Sequence, residues 1–386
     1  MVIQEEAMDF NLTDEKIMFQ QMVRSFVTNE VEPRAAEWDE AAEFPYDTIK
    51  KMAEVELFGV PLPKEYGGNG DEVSFVLATE ELSRGSAGLG VIYLVNSGLA
   101  INPIIFSGSN AQKREYISRV INGATCAFGL TEATAGSDVA ALETSCKKEG
   151  NHYILNGNKI FITNGAEADF ITTFATGDKS QGARGINAFV VEKGTPGFSV
   201  GKSEKKTGLH PASAAELIFD DCKIPVGNLI GEEGQGFKIA LKAIDASRVS
   251  IAAQALGIAQ AAFDVAVDYS KERKQFGTEL ARLQAIQWMV ADMATDIDAA
   301  RLLTYRATSL IHEEKPYLKE AAMAKLFASE AAGRVCHKAL QIFGGYGYIR
   351  DFPIERYARD QRITEIYEGT SEMQRWTIAR QVLGTK

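Results

Sequence analysis

Apolar and polar positions along the chain change their period twice. From Asn11 to about Asn122 the apolar residues recur at helical spacing, with Ile17, Met18, Met22, Val23 and Phe26 in one run and Phe75, Ala78 and Leu82 in another. Pro61, Pro63 and the Gly67-Gly68-Asn69-Gly70 cluster place a turn between the two runs. From about Ala124 to Glu232 the period falls to two, with short strand-like runs at 126–130, 152–155, 159–162, 170–174, 188–191 and 216–219. Asn156-Gly157, Asn164-Gly165 and Pro196-Gly197 supply turns between them. From Gly236 the helical spacing returns in long alanine-rich runs at 251–269, 283–310 and 319–342. The order predicts an α+β multidomain chain: a helical domain over 8–122, a small barrel or sandwich over 123–232, and a helix bundle over 233–386.

Charge and composition narrow the function classes. The 386 residues carry 52 acidic and 41 basic side chains, a net charge of −11. That balance argues against nucleic acid and anionic membrane as partners. Residues 1–10 are acidic and lack a basic segment followed by an apolar core, so no signal peptide is expected, and no run is expected to insert in a membrane. Cys126, Cys146, Cys222 and Cys336 form no CxxC, and His152, His210, His312 and His337 show no ligand spacing. A cytoplasmic protein without a metal site is the expectation.

Four stretches could carry chemistry. Phe128-Gly129-Leu130-Thr131-Glu132 runs from a strand into the small and hydroxyl residues of Ala133-Thr134-Ala135-Gly136-Ser137-Asp138. Such a loop can hold a heterocycle, a phosphate or a ribose through backbone N–H and hydroxyl groups, or serve as a plain Asx or Ser/Thr turn. Phe161-Ile162-Thr163 sets an aromatic before a hydroxyl, or simply ends a strand at the Asn164-Gly165 turn. Arg273 and Phe276, three apart at a helix end, suit a pyrophosphate or complement a helix C-terminus. In Ile366-Tyr367-Glu368-Gly369-Thr370-Ser371 a carboxylate sits on a short exposed turn beside glycine, and Ser371-x-x-Gln374 has capping-box spacing. Glu368 is a candidate general base or a helix-entry contact. The glycine clusters at 231–236 and 344–347 lie outside any βαβ unit, so no Rossmann site is read there.

Taken together the chain resembles the acyl-CoA dehydrogenase family over 8–384. The resemblance is carried by Leu130-Thr131-Glu132 with Gly136-Ser137-Asp138, by Ile162-Thr163-Asn164-Gly165, by Arg273 with Phe276-Gly277, by Gln341-Ile342-Phe343-Gly344-Gly345-Tyr346-Gly347 and by Ile366-Tyr367-Glu368-Gly369-Thr370. Gln284, Arg248 and the pair Arg359-Asp360 also match. The resemblance implies an N-terminal helical domain, a middle β-barrel and a C-terminal four-helix bundle, assembled as a homotetramer and holding FAD. It implies that Glu368 removes the α-proton of an acyl-CoA thioester while flavin N5 takes the β-hydride. The Glu368 backbone N–H and a flavin ribityl hydroxyl would then stabilise the enolate-like oxygen. Phe128, Leu130, Thr131, Gly136, Ser137, Phe161, Ile162 and Thr163 correspond to flavin contacts. Arg273, Phe276, Gln284, Gln341, Gly344 and Gly345 correspond to contacts with a neighbouring subunit's FAD, and Thr370 and Glu372 to further FAD positions, Glu372 being acidic where the pattern often has Gln. Ser137, Asp245, Arg248, Tyr367 and Gly369 correspond to acyl-CoA contacts.

The resemblance also bears on substrate. Some members carry the base at the position of Ser247, which cannot serve as one. Members acting on dicarboxylic substrates carry an arginine near Gly90, and none lies between Ser86 and Ile101. The C-terminal third is most similar to the short-chain, butyryl-type branch, implying electron transfer to an electron-transferring flavoprotein. A branched or cyclic acyl group, filling room left by Gly90, and a same-fold oxidase are the alternatives.

Overall fold

The computed structural model describes residues 11–385. The acidic opening segment and the domain start at residue 8 lie outside these residues. Seven α-helices come first: α1 (Asp14–Phe26), α2 (Ala35–Ala41), α3 (Tyr46–Glu54), α4 (Glu72–Gly85), α5 (Ala87–Leu94), α6 (Asn102–Ser107) and α7 (Asn110–Ile121). Local signals set several of their ends. Ser109 and Gln112 close a reciprocal capping box on α7, and the Asp71 side chain accepts from the Ser74 N–H at the start of α4. Of the apolar run predicted for α1, Val23 is buried, whereas Met18 is 69 % exposed.

The middle part is one eight-stranded sheet of β1 (Cys126–Gly129), β2 (Ser145–Glu149), β3 (His152–Thr163), β4 (Phe170–Thr176), β5 (Ile186–Glu192), β6 (Phe198–Ser203), β7 (Ala214–Pro225) and β8 (Leu229–Ile230). Its order is β6-β7-β3-β2-β4-β5-β8, with β1 added in parallel to β4. The predicted turn at Asn156-Gly157 is not a turn. β3 runs straight through it with a register shift, Gly157 holds φ 142°, and a Cβ there would stand 2.7 Å from Thr144. Glycine is needed for close approach, and the strand bulges instead of reversing.

β4 and β5 explain why the middle segment reads as almost continuously apolar. Phe170 and Phe174 of β4, with Ile186, Ala188 and Val190 of β5, face the large core shared with the helices. Ile171, Ala175, Phe189 and Val191, on the opposite face, join a second core inside the sheet with Leu155, Leu217 and Phe219. Both faces are dry, so alternation of side is not alternation of polarity.

The C-terminal part comprises α8 (Gly236–Glu272), a small hairpin of β9 (Lys274–Gln275) and β10 (Thr278–Glu279), α9 (Gln284–His312), α10 (Leu318–Phe343), α11 (Ile354–Asp360) and α12 (Ser371–Leu383). α8 packs along α10 on one side and α4 on the other, with Gly257 letting the two backbones meet: a Cβ there would stand 2.2 Å from the Glu80 carbonyl oxygen. Residues 87–107 and 236–272 are long and apolar enough to cross a membrane, contrary to the expectation that no run approaches this. In both, most of the apolar stretch is buried inside the protein (83 % and 78 %), as in core helices.

Candidate active site

Glu368 lies on the turn that joins the short helical segment after α11 to α12. The turn is half-buried rather than exposed, and Glu368 itself takes φ 51°, followed by Gly369 at φ 92°. Nine non-glycine residues among those described hold such a left-handed backbone, and three of them, Phe161, Phe276 and Glu368, are site candidates from the sequence. Strain of this kind persists where the surroundings enforce it, and it clusters at functional sites. The helix after the turn is capped by Thr370, whose side chain accepts from the Met373 N–H at 3.4 Å. The expected Ser371–Gln374 capping box does not form. Gln374 instead donates to the Gly369 carbonyl at 2.9 Å.

Two helices converge on the Glu368 turn. From α8 the Ser247 hydroxyl donates to it, and Arg248 stands close by, tied to Asp245 at 3.0 Å. From α10 the buried Lys325 donates to the Gly369 carbonyl at 2.8 Å. Burial pushes the Glu368 carboxyl up to about 7, opposed by the Ser247 hydrogen bond and the charges of Lys325 and Arg248. A carboxyl so poised is half ionised near neutrality, as a general base requires. Nε and Nη1 of Arg248 are buried without a protein partner and are free to donate to a ligand.

Gln254 lies seven residues beyond Ser247 on α8, on the same face and about 10 Å further along. It accepts from the Tyr367 hydroxyl and donates to the Ala87 carbonyl at 3.1 Å, tying α8 to the Glu368 turn and to the start of α5. Gly90 leaves no room there: a Cβ would stand 2.1 Å from the Ser83 hydroxyl. The expectation that Gly90 opens a branched-chain pocket is therefore not met. Asp245 also lines a cavity of 860 Å³, with Lys238, Lys242, Lys315 and Lys319 interspersed with Glu314 and Glu320.

The candidate flavin loops are brought together on the sheet. The Ile160 N–H donates to the Thr131 carbonyl at 2.9 Å, which sets the end of β3 beside the loop after β1. A register shift between Lys159 and Ile162 turns Phe161 outward, 60 % exposed, and leaves Ile162 in the sheet core. Behind the loop, Lys159 and Glu132 form a buried pair at 2.6 Å, and Lys159 also reaches the Leu130 carbonyl at 3.3 Å. Gly136 and Ser137 are exposed on this loop.

Arg273 and Phe276 do not share a helix face. α8 ends at Glu272, Arg273 is extended, and Phe276 projects from the β9–β10 hairpin, 94 % exposed. The Arg273 guanidinium lies over the Tyr346 ring, beside a 470 Å³ cavity lined also by Gly344 and Gly345. Gln341 is exposed on the last turn of α10, and Gln284 opens α9. This cluster lies about 39 Å along α8 from Ser247. One chain thus carries two separate groups of candidate residues. No Cβ placed on Gly136, Gly277, Gly344 or Gly345 would meet anything within 4 Å, so a large cofactor has open backbone to lie against at both.

Lys325, Lys159 and the four cavity lysines escaped the sequence reading as site residues. The signal for Lys325 was present, since it interrupts the buried alanine stripe of Ala321, Ala324 and Ala328.

Family models of the acyl-CoA dehydrogenase N-terminal, middle and C-terminal domains match residues 13–124, 127–222 and 234–383. A short-chain specific acyl-CoA dehydrogenase of Clostridium acetobutylicum is 49 % identical over 377 residues, covering 97 % of this chain and 100 % of that protein. The solved butyryl-CoA dehydrogenase of Megasphaera elsdenii superposes with a TM-score of 0.95 at 44 % identity, covering 97 % of this chain and 100 % of that one. A chain solved in work on the electron transferring flavoprotein of Acidaminococcus fermentans and flavin-based electron bifurcation gives 0.96 at 49 % identity, with the same coverage. With a strained, near-neutral carboxylate between α8 and α10 and three matched domains in order, the chain belongs to the acyl-CoA dehydrogenase family.

Proposed function

We propose that the protein dehydrogenates short-chain acyl-CoA thioesters to trans-2-enoyl-CoA and passes the electrons to an electron-transferring flavoprotein. The observation that carries this reading is Glu368: a carboxylate on an enforced left-handed turn, hydrogen-bonded by Ser247 and held near neutrality by burial. It removes the α-proton of the thioester, and the buried Arg248 donors and the neighbouring Gly369 turn orient the acyl group. The lysines of the cavity that Asp245 lines suit the phosphates of a CoA carrier. The similarity to the short-chain specific enzyme supports a short acyl chain.

FAD, when bound, supplies the two-electron acceptor for the β-hydride. Phe128, Leu130, Thr131, Gly136, Ser137, Phe161 and Thr163, with the backbone of Ile162, hold its flavin end. Thr370 and Glu372 lie next to the catalytic turn. Arg273, Phe276, Gln284, Gln341, Gly344 and Gly345 serve the cofactor of a neighbouring subunit in a homotetramer, an arrangement supported by their distance from Glu368. Exposed Phe276, Trp288 (63 %) and Trp376 (52 %) are apolar surface that such an assembly would cover.

Anaerobic mixing with butyryl-CoA tests the reading. The flavin bleaches rapidly, and more slowly with longer, branched or cyclic thioesters. Reoxidation is fast with an electron-transferring flavoprotein and slow with oxygen. No bleaching by any acyl-CoA would refute the reading, and rapid peroxide formation would make the protein an oxidase.

A further inference from the structure

Lys325 is fully buried in the middle of α10. An ammonium group brings three donors and a whole charge into the interior, and such groups persist when paired. Its hydrogen bond is to the Gly369 carbonyl at 2.8 Å, the same oxygen that accepts from Gln374 at 2.9 Å. The peptide directly after Glu368 is thus gripped from α10 and α12 together.

Electrostatics points to the same residue. The charges of Glu368, Glu365, Glu372 and, with like sign, Arg248 act on Lys325, none of the carboxylates at ion-pair distance from it. Arg248 is tied to Asp245 at 3.0 Å, Glu365 is paired with Arg362 at 2.8 Å, and Glu372 is exposed on the first turn of α12. Glu368 has no cation at ion-pair distance, and its charge is the strongest acting on Lys325, across the Gly369 peptide that the lysine holds. Burial pushes the Lys325 amine down to about 8, partly offset by the Glu368 charge.

We propose that Lys325 is a positioning residue for the base: it fixes the Glu368–Gly369 turn through the Gly369 carbonyl and supplies the buried positive charge that balances the Glu368 carboxylate. The inference rests on Glu368 being the base in the proposed dehydrogenation. The groups facing Glu368 are Ser247 and Arg248 from α8 and Lys325 from α10. Removing the Lys325 charge strengthens proton binding by Glu368, so the rising limb of the pH profile moves to higher pH.

The test compares Lys325→Met, which removes donor and charge, with Lys325→Gln, which keeps an N–H donor. Flavin bleaching by butyryl-CoA is followed across the neutral range. Thermal unfolding is measured for Lys325→Met in the wild-type and Glu368→Gln backgrounds. Bleaching at neutral pH by Lys325→Met falls roughly tenfold or more, as expected for loss of a hydrogen bond from a charged donor. Lys325→Gln recovers part of the rate but not the position of the limb. Lys325→Met costs less thermal stability with Glu368→Gln than alone, because the ammonium it removes there has no counter-charge. An unmoved limb with wild-type rates, or equal thermal losses in the two backgrounds, would overturn the proposal. Should Lys325→Met lose its cofactor, Lys325→Gln and the unfolding comparison decide. A wild-type protein that no thioester bleaches refutes the functional reading, and the unfolding comparison still judges the Lys325–Glu368 pairing.

Discussion

The Ser247 hydroxyl donates to the Glu368 carboxylate from a helix 121 residues earlier in the chain, and its oxygen also lies 3.0 Å from the Ile244 carbonyl. One hydroxyl proton has two acceptors. With Glu368 ionised it points at the carboxylate; once Glu368 has taken a proton, it can turn to Ile244 and accept from the new O–H. The residue that cannot be a base thus accommodates both protonation states of the one that can. Ser247→Ala removes a hydrogen bond to a charged group, worth about 1.5–3 kcal/mol. Flavin reduction by butyryl-CoA in stopped flow is expected to slow by about tenfold or more below the plateau, with FAD still bound. An unchanged rate would show that this contact is idle.

Glu368 is pushed up to about 7 because burial penalises its charge. The base must be ionised to accept the α-proton, so the reduction rate rises with pH through about 7 and then levels. Ser247 and Lys325 both favour the ionised form, and loss of either moves the rise to higher pH. Glu368→Gln abolishes reduction at every pH while retaining the flavin spectrum. A rate independent of pH across the neutral range would remove Glu368 from the rate-determining chemistry.

The α–β–α order and the Glu368 turn were legible because period and glycine placement are local properties. Sequence reading failed where a tertiary contact overrode a local signal. Asn156-Gly157 looks like a hairpin turn, yet the close approach of Thr144 makes it a bulge within β3. Ser371 has capping-box spacing, yet Gln374 is drawn to the Gly369 carbonyl and Thr370 takes the cap. Gly90 looks like spare volume until Ser83 of α4 is seen against it. Arg273 and Phe276 are separated from a common helix face because α8 ends at Glu272, before either of them, and Arg273 turns extended. The buried cations Lys159 and Lys325 could not be paired from sequence, since Glu132 and Gly369 reach them through the folded chain.

The α4–α8 contact that backs the site depends on Gly257. A Cβ there would stand 2.2 Å from a backbone oxygen of α4, which cannot yield as a flexible side chain would. Gly257→Ala therefore lowers stability by about 1–3 kcal/mol despite alanine's better helix propensity. Thermal unfolding checks it, and a raised melting temperature would show that the helices separate freely.

Lys159 and Glu132 provide the last case, behind the loop after β1. The ammonium is fully buried, the carboxylate nearly so, and Glu132 also accepts from the Thr144 N–H at 3.0 Å, folding the loop between them onto the sheet. Lys159→Met leaves that carboxylate buried without a cation, which costs about 3–5 kcal/mol. Because the same lysine holds the Leu130 carbonyl, the loop proposed to carry the flavin loosens with it, and FAD is released on dilution more readily than from the wild type. Adding Glu132→Gln to Lys159→Met removes the stranded charge and restores part of the melting temperature but not the grip on Leu130. Recovery of stability without recovery of FAD retention separates the two effects. Equal FAD retention in wild type and Lys159→Met would show that this lysine supports the sheet alone.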